Sequence, residues 1–167
     1  MMNYHGCEEC PLALCRKRDV APRGGFKRSV MFIGEAPGEE EERTGQAFVG
    51  QSGKMLDQWI EQLGLTEDDV YITNVVKCRP PKNRDPTEFE ISGCLPHLAR
   101  EIRELHPKLV IPLGRFARDV VRRMVTEGLL LEKDYGLSLK HPAWYLRQGG
   151  WPSEELKYLR LKLQKVR

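Results

Sequence analysis

Short apolar runs separated by amphipathic segments are the feature of this sequence that most restricts its fold. Runs rich in aliphatic and β-branched residues predict buried strands at residues 29–33, 70–76 and 109–114. A fourth strand is predicted at residues 136–140, directly before the pair His141-Pro142. Strands that are apolar along their whole length need cover on both faces of the sheet.

Between the predicted strands, apolar residues recur at steps of three and four, which predicts amphipathic helices at residues 53–63, 87–105 and 115–125. Pro96 is expected to break the second helix or to stand in a first turn. Strands that alternate with helices indicate an α/β fold, here a three-layer sandwich around a mostly parallel, four-stranded sheet. Ligands of such folds bind among the loops at the carboxyl ends of the strands.

The size and composition of the chain indicate one globular domain. The 167 residues are 40% hydrophobic and 31% charged, which excludes a disordered chain. We therefore expect residues 1–167 to form a single domain. Because no apolar stretch approaches the length of a membrane span and the first residues lack the apolar segment of a secretory signal, we expect an intracellular protein without a membrane partner.

Basic residues are concentrated in the last third of the chain. Residues 1–99 hold 12 Lys or Arg and 16 Asp or Glu, whereas residues 100–167 hold 15 and 8. A basic surface suits nucleic acid, because neutralised phosphates release condensed counterions. Solubilising helices near the end of a chain give the same pattern, so the charge alone leaves both interpretations open.

The five cysteines point to a metal site more than to disulfides, since their number is odd and the expected compartment is reducing. Cys7 and Cys10 have the two-residue spacing that directs two sulfurs to one metal centre, and Cys78 and Cys94 could add two ligands from distant chain. No second close pair is present, so an iron–sulfur cluster fits at least as well as zinc. Scattered buried cysteines are a third interpretation, and Cys15 is the expected outsider.

Residues suited to chemistry follow the predicted strands. Glu35 would place a carboxylate among small residues at the end of the first strand. Phe48 offers either core packing or a platform for a planar ligand. Asn74 ends the second strand, where its amide would read an imide edge or satisfy local backbone. His141 would be structural or would donate a proton or hydrogen bond to a leaving group.

Five motifs occur in the order found in one known family. They read CEECPL at residues 7–12, GEAPGEEE at 34–41, TGQAFVG at 44–50, TNVVKCRPPKNR at 73–84 and HPA at 141–143. On these motifs the chain resembles the family 4 uracil-DNA glycosylases, from Cys7 to about Arg147. The resemblance implies a uracil-DNA glycosylase-like α/β fold with an N-terminal iron–sulfur clip.

The resemblance also implies a cofactor and a substrate pocket. The residues that would hold a 4Fe-4S cluster are Cys7, Cys10, Cys78 and Cys94. Phe48 would stack on an extruded uracil, Asn74 would pair with its Watson–Crick edge, and thymine would be excluded sterically. The residues whose backbone would line the pocket are Gly34, Glu35 and Ala36.

Catalysis, by the same resemblance, needs a donor to the departing base and a placed water molecule. His141 would donate a hydrogen bond to uracil O2, and Glu41 and Asn83 are predicted to place the water. Leu146, or Tyr145 instead, would fill the gap that the extruded base leaves in the DNA stack.

The implied function is a DNA repair glycosylase that hydrolyses the N-glycosidic bond of uracil in DNA, releasing uracil and leaving an abasic site. Its partner would be uracil-containing DNA, single- or double-stranded, and we expect a monomer in the cytoplasm, associated with the nucleoid. Two alternatives stay open: a non-catalytic iron–sulfur DNA-binding module of the same fold, and an enzyme for another deaminated base such as hypoxanthine. The first is motivated by the 26 residues between Gly114 and His141, fewer than the family usually has.

Overall fold

The computed structural model describes Tyr4 and residues 7–165. The elements follow in the order α1 (Leu12–Cys15), β1 (Val30–Gly34), α2 (Glu39–Thr44), α3 (Gln51–Gln62), β2 (Val70–Asn74), α4 (Glu88–Leu105), β3 (Leu109–Pro112), α5 (Arg115–Thr126), α6 (Pro142–Gln148) and α7 (Ser153–Leu163). Short 3-10 turns lie at Glu67–Asp69, Pro81–Asn83 and Glu132–Asp134. The order of strands and helices confirms the predicted α/β class. No helix among the described residues has the length and apolarity that crossing a bilayer requires.

The described strands form a parallel sheet with β1 in the middle, in the order β2-β1-β3. Val30 lies opposite Val70 on one side and Leu109 on the other, and Gly34 lies opposite Asn74. Because all three strands run in the same direction, their carboxyl ends meet at one edge of the sheet. The loops that follow β1, β2 and β3 therefore come together at that edge.

Two separate cores cover the two faces of the sheet, because successive strand residues point to opposite sides. Phe32 faces a core built with α3, α6 and α7, in which Trp59 is fully buried. Met31 and Ile33 face a second core built with α4 and α5. Helices thus lie on both sides of the sheet, as a three-layer arrangement requires.

The predicted fourth strand at residues 136–140 is wrong, because the segment that runs beside β3 forms only isolated bridges. Tyr135 bridges Val110 and Leu139 bridges Leu113, so four steps along one chain match three along the other. One extra residue therefore interrupts the ladder, as in a β-bulge. Pro112 faces this segment, since its carbonyl accepts from Leu139 N at 3.0 Å, and proline has no N–H to donate in return.

Two predicted boundaries also differ from the structure. α4 runs without interruption through Pro96, which neither breaks the helix nor stands in its first turn. Burial of Ile91, Leu98 and other residues of this helix against the second core offsets the backbone hydrogen bond that proline removes. His141-Pro142 opens a helix instead of a loop, with His141 at the N-cap of α6 and Pro142 in its first position.

Candidate functional site

A cavity of about 440 Å³ opens at the carboxyl edge of the sheet, and we call it the strand-end cavity. It lies among the loops that follow β1 and β2 and the beginning of α6. The predicted site residues that line it are Glu35, Ala36, Glu41, Phe48, Asn74, Asn83 and His141. The structure therefore brings these residues, which are far apart in sequence, to one place.

The last residue of β1 allows the walls of this cavity to approach each other. A Cβ atom placed on Gly34 would lie 2.4 Å from Asn74 Oδ1 and 2.4 Å from Phe48 Cζ. Neither contact is sterically allowed, so only glycine fits between the amide and the aromatic ring. Gly34 thus lies between the Asn74 amide and the Phe48 ring, both of which belong to residues that line the cavity.

Phe48 and His141 both line the cavity, and their rings are neighbours. Their ring centroids lie 5.8 Å apart at an interplanar angle of 36°. Phe48 is only 5% exposed and belongs to the core around α3, and it also lines the strand-end cavity. Its part as a platform for a planar ligand stays a prediction.

Asn74 brings a buried amide to the wall of the strand-end cavity. The residue is 3% exposed, and among the described residues none donates a hydrogen bond to its Oδ1 atom. A buried amide oxygen without a donor costs free energy of about 1–3 kcal/mol. A ligand with an N–H group at this position would remove that cost.

The structure fixes the tautomer of His141. Its Nδ1 atom accepts a hydrogen bond from Ala143 N at 3.2 Å, in the first turn of α6, so Nδ1 carries no proton. Burial and then the Arg147 guanidinium lower the pKa of His141 from 6.5 to about 4, although Glu41 acts in the opposite direction. The imidazole is therefore neutral near pH 7, and the hydrogen that it can donate is on Nε2.

Glu41 is engaged with the backbone of its own loop. Its carboxylate accepts from Gly38 N at 3.1 Å, from Val49 N at 2.9 Å and from Gly50 N at 2.8 Å. These bonds join the start of α2 to the start of α3 and so hold the segment that carries Phe48. A carboxylate has about four acceptor positions, which leaves room for one more donor.

Two other polar residues at the cavity have partners of their own. Asn83 has a left-handed backbone, with φ 55°, and its Oδ1 accepts from Arg79 Nε at 2.7 Å. Glu35 lies between the strand-end cavity and a neighbouring cavity of about 490 Å³. Burial and then the nearby carboxylate of Asp85 raise the pKa of Glu35, which makes it a better proton acceptor than an exposed glutamate.

The two residues predicted for DNA intercalation differ in exposure. Tyr145 is 6% exposed and packs edge-to-face on Trp59, with ring centroids 5.5 Å apart. Leu146 is 47% exposed. The structure thus disagrees with Tyr145 as the intercalating residue and leaves Leu146 available. Trp144 is also partly exposed, under the ammonium of Lys140 at 3.6 Å from the ring centroid.

Four of the five cysteines gather beside α4, and we call Cys7, Cys10, Cys78 and Cys94 the cysteine site. Burial, opposed by Arg16, raises the pKa of Cys78 to about 11, and burial, opposed by Lys77, raises that of Cys94 to about 12; Cys10 acts in the same direction as burial on both. A Cβ atom on Gly93 would lie 3.0 Å from Cys10 Cβ, so glycine lets the N-terminal segment approach the helix.

The cysteine site has donors directed at its sulfurs. Lys77 N donates to Cys94 Sγ at 3.3 Å, Arg16 Nη1 donates to Cys78 Sγ at 3.6 Å, and His97 Nε2 lies 3.3 Å from Cys7 Sγ. Such donors suit thiolates that hold an iron–sulfur cluster.

Among the described residues, no three His, Cys, Asp or Glu side chains converge closely enough to hold a single ion. The donor set of the cysteine site is four thiols, with N–H donors at the sulfurs of Cys78 and Cys94. Four thiolates, one for each iron, are the donor set that an iron–sulfur cluster takes. Cys15 is exposed and contacts only carbonyls of its own turn.

Sequence reasoning missed several residues of the site. Arg84, Ser52 and Arg147 also line the strand-end cavity. Arg147 lies four residues after Ala143, which puts both on one face of α6, and this shared face becomes evident only once the helix Pro142–Gln148 is known.

Comparisons with known proteins identify the family of this chain. A family model described as the uracil DNA glycosylase superfamily matches residues 22–163. The chain is 52% identical over 110 residues to a type-4 uracil-DNA glycosylase of Saccharolobus solfataricus, covering 65% of this chain and 51% of the relative. It is 43% identical over 115 residues to a type-4 enzyme of Archaeoglobus fulgidus, covering 69% and 58%.

A type-5 uracil-DNA glycosylase of Pyrobaculum aerophilum is more distant, at 37% identity over 123 residues, covering 65% of this chain and 54% of the relative. The chain spans about half the length of the curated relatives it matches. The family model, however, matches most of the chain, from the segment before β1 to the end of α7. The chain belongs to the uracil DNA glycosylase superfamily.

Proposed function

We propose that the protein is a DNA repair glycosylase that hydrolyses the bond between uracil and deoxyribose in DNA, releasing uracil and leaving an abasic site. The observation that carries the proposal is the buried Asn74 amide at the wall of the strand-end cavity, which Phe48 also lines, and whose Oδ1 atom has no hydrogen-bond donor among the described residues. Uracil presents an N3–H donor next to its O4 acceptor, which matches the acceptor and donors of one amide. Similarity to type-4 uracil-DNA glycosylases supports the same assignment.

His141 would act on the departing base as a neutral donor. When the C1′–N1 bond breaks, its electron pair leaves with uracil N1, and negative charge spreads to uracil O2. A hydrogen bond from His141 Nε2 to O2 stabilises charge that is largely absent before the bond breaks, so it lowers the barrier. The Nδ1 bond to Ala143 N holds the ring in the orientation that this role needs.

A water molecule completes the reaction by adding its oxygen to C1′, and its proton passes to uracil or solvent. We propose Glu41 and Asn83 as the residues that place this water. Glu41 keeps one acceptor position beyond its three backbone partners. Glu35 is an additional carboxylate at the cavity, with a raised pKa.

The DNA would meet the protein at the rim of the strand-end cavity. Extruding a base costs a few kcal/mol of stacking and pairing, and the exposed Leu146 would occupy the space left in the stack. Arg84 and Arg147 lie at the cavity and suit the phosphates beside the extruded nucleotide. A monomer and a cytoplasmic location at the nucleoid stay predictions.

The cysteine site would hold a 4Fe-4S cluster through Cys7, Cys10, Cys78 and Cys94. The bound cluster would cross-link the N-terminal segment to β2 and α4. Arg16 and Lys77 N would direct hydrogen bonds at the ligand sulfurs, as in the present structure. We assign the cluster a structural part in the enzyme.

Strand scission tests the proposed function. Single-stranded DNA with one uracil is incubated with the protein and treated with alkali, which cleaves at abasic sites. Cleavage at the uracil position is expected, and thymine at the same position should give none. Tight binding without cleavage would instead favour a non-catalytic DNA-binding module of the same fold, and cleavage at hypoxanthine alone would favour the other alternative.

A further inference from the structure

Arg23 is a buried cation that sequence reasoning passed over. Its side chain is 6% exposed, and it donates from Nε to Ala47 O at 2.9 Å and from Nη2 to Phe48 O at 3.1 Å. The same guanidinium contacts Asp57 and lies 3.1 Å from Glu67, two carboxylates that are about half exposed. Two of its partners are thus backbone carbonyls in the segment that carries the aromatic wall of the cavity.

Phe48 has a backbone that needs outside support. Its φ is 54°, in the left-handed region that a bulky residue avoids. Its carbonyl lies so close to α3 that a Cβ atom on Gly53 would be 1.7 Å from it. The fork of Arg23 bonds to that carbonyl and to the preceding one, which holds the strained residue in place.

Lys77 makes the corresponding contacts on the other side of the sheet. Its side chain is 2% exposed, and its Nζ atom donates to Asn74 O at 2.6 Å and to Thr73 Oγ1 at 2.7 Å. Its third partner is Glu101 at 2.7 Å, which is fully buried and also accepts from the Tyr4 hydroxyl. All three N–H donors of the ammonium are therefore used.

These two buried cations share one arrangement. Each bonds to the carbonyl oxygen of a residue whose side chain forms a wall of the strand-end cavity, Phe48 for Arg23 and Asn74 for Lys77. Buried charges are poor sources of stability, since apolar replacements of similar volume are often as stable. A buried cation behind each of two walls of one cavity therefore indicates a role in that cavity.

We propose that Arg23 and Lys77 are positioning residues of the base site, Arg23 holding the Phe48 ring and Lys77 holding the Asn74 amide. The proposal rests on the proposed function, because it concerns how the uracil pocket is kept in shape. Neither residue touches the base. Each acts through a carbonyl oxygen. Loss of Arg23 or Lys77 therefore leaves the Phe48 ring or the Asn74 amide present, but no longer held in one orientation.

The Arg23 test compares three variants with the wild-type protein. Arg23→Met removes both carbonyl bonds, and Arg23→Lys keeps the charge but replaces the two nitrogen donors, Nε and Nη2, by a single nitrogen. Glu67→Gln is the control, since it removes a half-exposed ion-pair partner and keeps both bonds. We expect single-turnover uracil excision to slow about tenfold or more in Arg23→Met and Arg23→Lys, and to stay unchanged in the control.

The Lys77 test uses the double variant Lys77→Met/Glu101→Gln, which leaves no unpaired charge in the core. Its control is Tyr4→Phe, which removes a hydrogen bond to Glu101 and keeps the contact of Lys77 with Asn74. We again expect slower excision by about tenfold in the double variant, with unchanged affinity for the same DNA lacking uracil. A purely structural role would lower the melting temperature without changing the excision rate of folded protein.

Amide hydrogen exchange gives a measurement that does not depend on catalysis. Faster exchange is expected at Val49 in Arg23→Met and at Val75 in the Lys77 double variant, because these amides adjoin the released carbonyls. Unchanged excision and unchanged exchange in the folded variants would overturn the proposal. If the wild-type protein releases no uracil, the proposed function fails, and the exchange rates alone then decide whether the cations hold the two walls. If Arg23→Met does not fold, Arg23→Lys supplies the same comparison.

Discussion

The strand-end cavity and the cysteine site share one sheet but depend on different sources of order. In the cavity, backbone N–H groups, two buried cations and the first turn of α6 donate hydrogen bonds to the residues of the site, and the Asn74 Oδ1 atom has no donor among the described residues. In the cysteine site, burial opposes the thiolate form and raises the pKa of Cys78 and Cys94.

The two sites differ in the charge that their side chains would need for the proposed roles. Thiolates are the ligands of iron, and thiols with a pKa of about 11 and about 12 become thiolates only when a cationic centre compensates their burial. The cavity needs no such help, because His141 acts as a neutral group. We therefore expect the two sites to respond very differently to substitution.

The largest effect is expected at the cysteine site. Cys94→Ser removes a buried ligand sulfur, and we expect loss of bound iron and visible absorbance together with a fall in melting temperature of about 10 °C or more. Iron analysis and thermal unfolding measure this. Cys15→Ser is the matched control and should change neither quantity, since Cys15 is exposed. Full iron content in Cys94→Ser would remove that residue from the ligand set.

The next largest effect is expected at the narrowest part of the cavity. Gly34→Ala places a methyl group between Asn74 Oδ1 and the Phe48 ring, so we expect uracil excision to fall by about 10²-fold or more with iron still bound. Gly128→Ala is the control, since no atom lies within 4 Å of the new methyl group. Its positive φ should cost about 1 kcal/mol of stability and no activity. Equal excision rates in the two variants would show that the cavity tolerates the change.

His141 should have a somewhat smaller effect and a characteristic pH dependence. His141→Ala is expected to slow single-turnover excision by about 10²-fold, and a change of less than about threefold would remove it from the mechanism. Because the pKa of His141 is about 4, its contribution to the rate should stay constant as the pH is lowered from 8 to 5.

The same depressed pKa has a consequence for stability. The unfolded chain binds a proton at His141 near pH 6.5, and the folded protein does so only near pH 4, so protonation favours unfolding between these values. Stability from this group is thus present above about pH 6.5 and is lost as the pH falls toward 4. The difference in unfolding free energy between wild type and His141→Ala should shrink over that interval in denaturant titrations.

The smallest effect is expected at the rim. Leu146→Ala should weaken excision from double-stranded DNA by a few-fold, because the cost of extruding the base is no longer offset, and should change single-stranded DNA less. Tyr145→Phe, at the neighbouring buried position, is the control and should leave both substrates unchanged. A larger effect on single-stranded DNA would contradict an intercalating role for Leu146.

Most of the fold could be predicted because its strands are apolar on both faces and its helices have a clear period. The fourth strand could not, since one additional residue between Tyr135 and Leu139 depends on pairing across the sheet and leaves no local signal. The continuation of α4 through Pro96 could not be predicted either, because burial of the helix outweighs the low helix propensity of proline.

The candidate site was predictable where a residue ends a strand or belongs to a motif, as with Asn74 and Phe48. The supporting residues were not. Arg23 lies in an irregular segment, and nothing in the sequence around it tells that its side chain turns inward to a carbonyl. Tyr145 and Leu146 could not be separated without the orientation of α6, which places one in the core and the other in solvent.

The interrupted pairing beside β3 affects the position of the His141 imidazole. Leu139 O accepts from Gly114 N at 2.7 Å, and Gly114 in turn lies against His141, where a Cβ atom would be 3.2 Å from that of the histidine. The number of residues from Tyr135 to Leu139 therefore determines where His141, two residues later, is placed. Removing one residue between the two bridges would shift the pairing beside β3 and change how Gly114 and His141 lie against each other.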